Sequence, residues 1–150
     1  MIIHSIDDFL DPEDLIKYQN YVLCSGITQK IKEEHELTTY FWNKYGDKLN
    51  QNLKDISTFS GLYPYVTISN SNNPVFKHID CKIKNEKFKI LIYLNNVDNG
   101  GTIFYNAETS ISIMNKENRL VVFDINLPHE SQKFSKNDKK IAIGFRLKEI

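Results

Sequence analysis

Three residues could hold a metal ion together: His78 and Asp80, in the run His78-Ile79-Asp80, and His129, which closes the run Leu120-Val121-Val122-Phe123-Asp124-Ile125-Asn126-Leu127-Pro128-His129. The first two lie inside a stretch with strand texture. Alternate side chains of a strand share a face, so His78 and Asp80 point one way and Ile79 the other. Taken alone the triplet is a weak signal, since four histidines and ten aspartates in 150 residues give about a quarter of such a triplet by chance. A polar strand face explains it as well. His129 strengthens the case, because an apolar strand running into Pro-His delivers a third donor from elsewhere in the chain. Two neutral imidazoles and one carboxylate leave three adjacent positions open in an octahedral iron(II) shell. Zinc takes the same donors with one position open, so the residues alone do not choose the metal.

The other candidate ligands fit less well. His4 lies near the start of the sequence, and His35 sits in the charged run Lys32-Glu33-Glu34-His35-Glu36, which reads as a solvated face. Cys81 follows Asp80 directly and by alternation faces away from it, as a packing residue. Cys24 and Cys81 are far apart, with no ladder of cysteine spacings, so a disulfide framework is not expected and a reducing cytoplasm fits best.

The elements that must position these residues fall into two textures. Asp11-Pro12-Glu13-Asp14 reads as a helix start, with Asp11 as the cap and Pro12 at the first helical position. Leu15, Tyr18, Tyr21 and Val22 follow at helical spacing. A second helix is predicted over Thr38 to Ile56, where Tyr40, Phe41, Tyr45, Leu49 and Leu53 form one stripe. From Gly61 onward, short β-branched and aromatic runs alternate with Asn, Gly, Asp and Lys clusters, predicting strands at 62–69, 75–83, 88–95, 102–105, 110–114, 119–125 and 139–147. The reading is a mostly β, α+β chain: a jelly roll over about 61–148, braced by helices within about 1–58, in one domain spanning 1–150.

Composition narrows the partners. The 19 basic and 19 acidic side chains cancel, which gives no electrostatic reason to expect nucleic acid or a membrane surface. No stretch reaches the length of an apolar span, and the expectation is a soluble, unexported protein. Only Arg119 and Arg146 are arginine among the basic residues, and Asn and Ile are abundant. That bias is typical of AT-rich coding sequence and hints at a phage or low-GC bacterial source.

An ordered set of motifs now resembles a known family. His78-Ile79-Asp80 is followed by Ile92-Tyr93-Leu94-Asn95, then Asn99-Gly100-Gly101-Thr102-Ile103-Phe104, then Phe123 to His129, then Lys140 to Arg146. The set, together with the opening Ile6-Asp7-Asp8-Phe9-Leu10, resembles the 2-oxoglutarate- and Fe(II)-dependent dioxygenases, nearest their prolyl-4-hydroxylase-like branch, over roughly Ile6 to Leu147. One departure is that Thr102 follows the glycines directly, where the family often has an intervening residue. The resemblance implies a double-stranded β-helix, with His78, Asp80 and His129 as the catalytic metal ligands. It also implies Fe(II), 2-oxoglutarate and O2 as cofactor and cosubstrates, with ascorbate a candidate addition. The 2-oxoglutarate would be split to succinate and carbon dioxide while a C–H bond is hydroxylated.

The family places a cation on the last strand for the far carboxylate of 2-oxoglutarate, since burying that charge unpaired is prohibitive. Alternation along Lys139-Lys140-Ile141-Ala142-Ile143-Gly144-Phe145-Arg146 puts Lys140, Ala142, Gly144 and Arg146 on one face. By family position Lys140 is the better match for the anchor, with Arg146 a second inward cation. Tyr93 matches the family tyrosine whose hydroxyl reaches the same carboxylate; unaided, it would be read as core. Gly100-Gly101 reads as a tight turn. The expected partner is a peptide or small-molecule substrate, a peptidyl proline being favoured, with the N-terminal helices and the loops at 70–74 and 132–138 as the specificity elements. Two rival classes remain: a cupin-like metal-dependent isomerase or hydrolase, which has no need of the inward cation, and a jelly-roll binding module, which has no need of the triad.

Overall fold

The computed structural model describes residues 3–24, 31–53, 59–80 and 85–149. A strand β1 (Ile3–Ile6) precedes two helices, α1 (Pro12–Cys24) and α2 (Ile31–Asn52). Seven strands follow: β2 (Phe59–Ser71), β3 (Glu86–Tyr93), β4 (Thr102–Asn106), β5 (Thr109–Ile113), β6 (Leu120–Asp124), β7 (His129–Ser131) and β8 (Lys140–Glu149). They form a five-stranded sheet in the order β1-β6-β3-β8-β2 and a three-stranded sheet in the order β5-β4-β7, with every pairing antiparallel. The fold is a double-stranded β-helix braced on its outer face by the helices.

Alternation along the central strands sorts the core into two layers. Phe88, Ile90 and Ile92 of β3, Leu120 and Val122 of β6, and Ile141, Ile143, Phe145 and Leu147 of β8 face the helices. There they meet Tyr18, Val22, Phe41, Tyr45 and Leu49. Phe41 stacks on Phe145 with ring centroids 4.5 Å apart. The opposite face turns toward the small sheet, where Tyr93, Phe104, Val121 and Phe123 form a second cluster. The candidate site lies on this inner face.

Asp14 locks the two helices together. Its buried carboxylate accepts hydrogen bonds from Tyr40 and Tyr45 and pairs with Lys44 at 2.6 Å. Burial alone would raise its pKa. The bonds from Lys44, Tyr45 and Tyr40 outweigh burial and hold the carboxyl below its ordinary range.

Several expectations are corrected. α2 begins at Ile31 rather than Thr38, so the run read as a solvated face is the first turns of a helix. The Thr38 hydroxyl donates to the Glu34 carbonyl at 2.7 Å, a bond within the helix. Tyr40 lies outside the apolar stripe and Leu37 takes its place, while residues 54–58 of the predicted helix lie outside the described residues. The predicted strand at 75–83 is reduced to one bridging residue, His78, and 81–84 with Cys81 lie outside the described residues. β1 and β7 were not expected, because a four-residue and a three-residue strand are too short to show periodicity.

The double glycine also works differently from a glycine turn. Asn99 takes the left-handed conformation (φ 58°). Gly101 provides close approach instead, since a Cβ there would collide with the Ile113 carbonyl oxygen of β5. No helix among the described residues is long and apolar enough to cross a membrane.

Candidate metal centre

His78 and His129 stand side by side because their backbones form one antiparallel bridge. Each N–H donates to the other's carbonyl at 2.9 Å, and directly opposed residues project to the same side. Ser131 N–H then reaches the Val75 carbonyl at 3.0 Å. Three residues on one side thus match two on the other, a bulge that breaks the expected strand. His129 is not at the end of the apolar strand. That strand, β6, stops at Asp124, a turn closed by Leu127 N–H on the Asp124 carbonyl carries the chain across, and His129 opens β7 in the other sheet.

Both imidazoles are held in one tautomer. Nδ1 of His78 lies 2.8 Å from the Phe76 carbonyl and Nδ1 of His129 lies 2.9 Å from the Leu127 carbonyl. A carbonyl only accepts, so each Nδ1 carries a proton, which leaves Nε2 as the lone-pair nitrogen of the neutral ring. Those two lone pairs face Asp80, at 3.4 Å from Oδ1 for His78 and 3.5 Å from Oδ2 for His129. With both rings neutral, three electron-rich donors so placed repel one another unless a cation lies among them. Ligands in adjacent positions about 2.1 Å from one metal stand about 3 Å apart. The three donor atoms lie within 4.8 Å of one another, in the one such group among the described residues. Burial lowers the His129 pKa, which keeps the imidazole neutral and able to bind a metal. The donor set therefore fits a divalent first-row ion.

The triad and Lys140 line one cavity of about 180 Å³ on the inner face. Lys140 is only 4 % exposed, and no carboxylate lies within ion-pair reach of it among the described residues. Its ammonium lies 3.4 Å from the Ser131 hydroxyl and 5.2 Å from the centre of the Tyr93 ring. Burial pushes its pKa down to about 8. Tyr93 is fully buried and its hydroxyl shares a 2.6 Å hydrogen bond with Thr102. Arg146 lies elsewhere. Six residues along β8 from Lys140, about 20 Å at strand rise, its guanidinium donates to the buried Glu86 carboxylate at 3.0 Å.

Sequence reasoning passed over Lys89, Thr102 and Phe123, which also line the cavity. The signal for Lys89 was present: it alternates with Leu91 and Tyr93 and so shares their face of β3. His4 and His35 stand on exposed positions of β1 and α2.

Neither a family model nor a curated protein sequence matches the chain. Solved structures do. The fold is that of prolyl hydroxylases and related 2-oxoglutarate iron oxygenases. A collagen prolyl hydroxylase from Paramecium bursaria Chlorella virus 1, in complex with 2-oxoglutarate, superposes with a TM-score of 0.67 at 18% identity, covering 100% of this chain and 97% of that one. A Trichoplax adhaerens prolyl hydroxylase, in complex with a fragment of the hypoxia inducible factor oxygen degradation domain, gives 0.66 at 18% identity over 98% and 83%. The non-haem α-ketoglutarate-dependent epimerase of nogalamycin biosynthesis gives 0.72 at 8% identity over 98% and 77%. At these identities the likeness is one of fold.

Proposed function

We propose that the protein is a 2-oxoglutarate- and Fe(II)-dependent oxygenase that hydroxylates a C–H bond of a peptide, with peptidyl proline as the favoured target. The observation that carries the reading is one cavity lined both by a His-Asp-His donor set and by a buried lysine with no acidic partner among the described residues. His78, Asp80 and His129 would hold the iron, which with bound 2-oxoglutarate and O2 supplies the coupled decarboxylation and hydroxylation. Lys140 would pair with the far carboxylate of the cosubstrate. Thr102 and Phe123 would give the cavity a polar and an apolar side, whereas Tyr93, fully buried, does not itself line it and is joined to it only through its hydrogen bond with Thr102.

Arg146 is less suited to the anchor role, because Glu86 already neutralises it. The inward cation favours an oxygenase over a cupin-like hydrolase, which has no use for it.

The peptide preference rests on the mouth of the cavity. Val75, Phe76 and Ile79 flank His78 and are 46%, 87% and 56% exposed, an apolar surface beside the metal ligands that suits an extended chain. The two expected specificity loops touch each other, with Asn72 donating to the Lys136 carbonyl at 3.4 Å. One structural neighbour was solved with a peptide. The same fold also carries an epimerase, so cosubstrate turnover and substrate fate are measured separately. Proline-containing peptides should raise succinate formation above the uncoupled rate and gain one oxygen by mass, whereas single-stranded DNA and nucleosides should not. Stimulation by DNA, falling steeply with added salt, would overturn the substrate class.

A further inference from the structure

The three candidate ligands are not held alike. His78 and His129 are fixed twice, by their mutual backbone hydrogen bonds and by Nδ1 on a carbonyl. Asp80 lies in no strand, and among the described residues its carboxylate accepts no aligned hydrogen bond, although Oδ2 is buried. Besides the two imidazole nitrogens, a cation approaches it. The ammonium of Lys89, whose side chain is 9% exposed, lies 3.3 Å from Oδ2, within ion-pair distance.

Lys89 is rigidly placed. It sits within β3, opposite Phe123 of β6 on one side and Arg146 of β8 on the other. Arg146 is engaged by Glu86, so it does not compete for Asp80, and its positive charge favours the side chain of Lys89 turning toward Asp80. A buried ammonium needs such a partner.

We propose that Lys89 is a positioning residue of the metal site: by pairing with Oδ2 it leaves Asp80 to bind the metal through Oδ1 alone. This rests on the triad being the metal site. The consequence is stereochemical, because a carboxylate bound through both oxygens takes a fourth position of an octahedral shell. A chelating 2-oxoacid would then fill the two that remain and leave none for a further ligand. Groups that orient a metal ligand in this way typically change metal affinity about 10- to 100-fold when removed.

Electrostatics makes the direction of change diagnostic. A cation that merely stood nearby would repel the metal, and its removal would tighten binding. Removal of a positioning cation weakens it.

Cobalt(II) is the probe, since its visible spectrum reports coordination number. Metal-free wild type, Lys89→Met, Lys89→Gln and Lys89→Arg are titrated, with thermal unfolding as the check on folding. The wild type should bind, Lys89→Met should bind about 10- to 100-fold more weakly with an altered spectrum, and Lys89→Arg should restore both. Lys89→Gln keeps a donor for Oδ2, should fall between, and carries the test if Lys89→Met does not fold. A Lys89→Met protein that binds cobalt as tightly as wild type or more tightly overturns the proposal and leaves the metal site standing. So does one that loses only 2-oxoglutarate binding, which would make Lys89 a cosubstrate contact. A wild type that binds no cobalt overturns both.

Discussion

Lys140→Met should separate function from stability in opposite directions. A buried ammonium without an acidic partner is costly in the cosubstrate-free protein, and the cost can be read from its proton affinity. The fall in pKa from 10.5 to about 8, at about 1.4 kcal/mol for each tenfold change, corresponds to about 3 kcal/mol. The sign follows from which form is penalised. Below about pH 8 the lysine is charged in both folded and unfolded chains and the whole penalty is present; it fades as pH rises from about 8 to 10.5 and is gone above that. Methionine fills the same volume without the charge, so near neutral pH the variant should be more stable by up to about 3 kcal/mol, or about 6–12 °C in Tm for a chain of this size. Cosubstrate binding should move the other way. Losing a charge-assisted hydrogen bond costs about 1.5–3 kcal/mol, which weakens 2-oxoglutarate about 10- to 150-fold. The assay pairs thermal unfolding of the metal-free proteins at several pH values with a 2-oxoglutarate titration of the manganese-loaded ones. A variant that is destabilised and binds 2-oxoglutarate normally would refute the reasoning, showing that Lys140 serves the packing against Tyr93 and not a ligand.

Other outcomes follow from the same geometry. The wild-type affinity for 2-oxoglutarate should fall about tenfold per pH unit above about 8, because binding then requires proton uptake by Lys140; a flat profile to pH 10 in the same titration would contradict this. Arg146→Ala should weaken cosubstrate binding less than Lys140→Met does, since Glu86 already holds the guanidinium, and the reverse ranking would move the anchor. Asp14→Ala should cost about 2 kcal/mol or more in denaturant unfolding, by removing the acceptor shared by Lys44, Tyr40 and Tyr45. Because the Asp14 carboxyl is held below its ordinary range, that stability is present above about pH 4 and lost on acidification. The wild-type and Asp14→Ala unfolding curves should therefore converge in acid.

The residues brought together in the cavity were largely legible from the sequence because they are chemically rare: four histidines, of which two converge with one aspartate. Strand alternation put Lys140 and Arg146 on one face and the family resemblance chose Lys140 between them, while the jelly roll was legible from the spacing of short apolar runs. What stayed hidden has physical causes. A lysine within Lys87-Phe88-Lys89-Ile90 reads as a solvent-facing strand position, and only a strand covered on both sides buries it. β7 is three residues long and paired partly with a bulged, strand-like segment, so it carries no periodic signal. The start of α2 was hidden by the charged run Glu33-Glu34-His35-Glu36, after which Leu37 is the first buried apolar residue among those whose burial is described. The glycine pair was read as conformational freedom, whereas position 101 needs space.

The most direct measurement is the visible absorption of anaerobically prepared protein with Fe(II) alone and with Fe(II) plus 2-oxoglutarate. Chelation of the 2-oxoacid on iron held by His78, Asp80 and His129 should give a visible band only when both are present, and the band should be absent from His129→Ala while that variant keeps its fold. Iron bound without such a band, or a band that survives in His129→Ala, would contradict the assignment of the cavity as an iron and 2-oxoglutarate site.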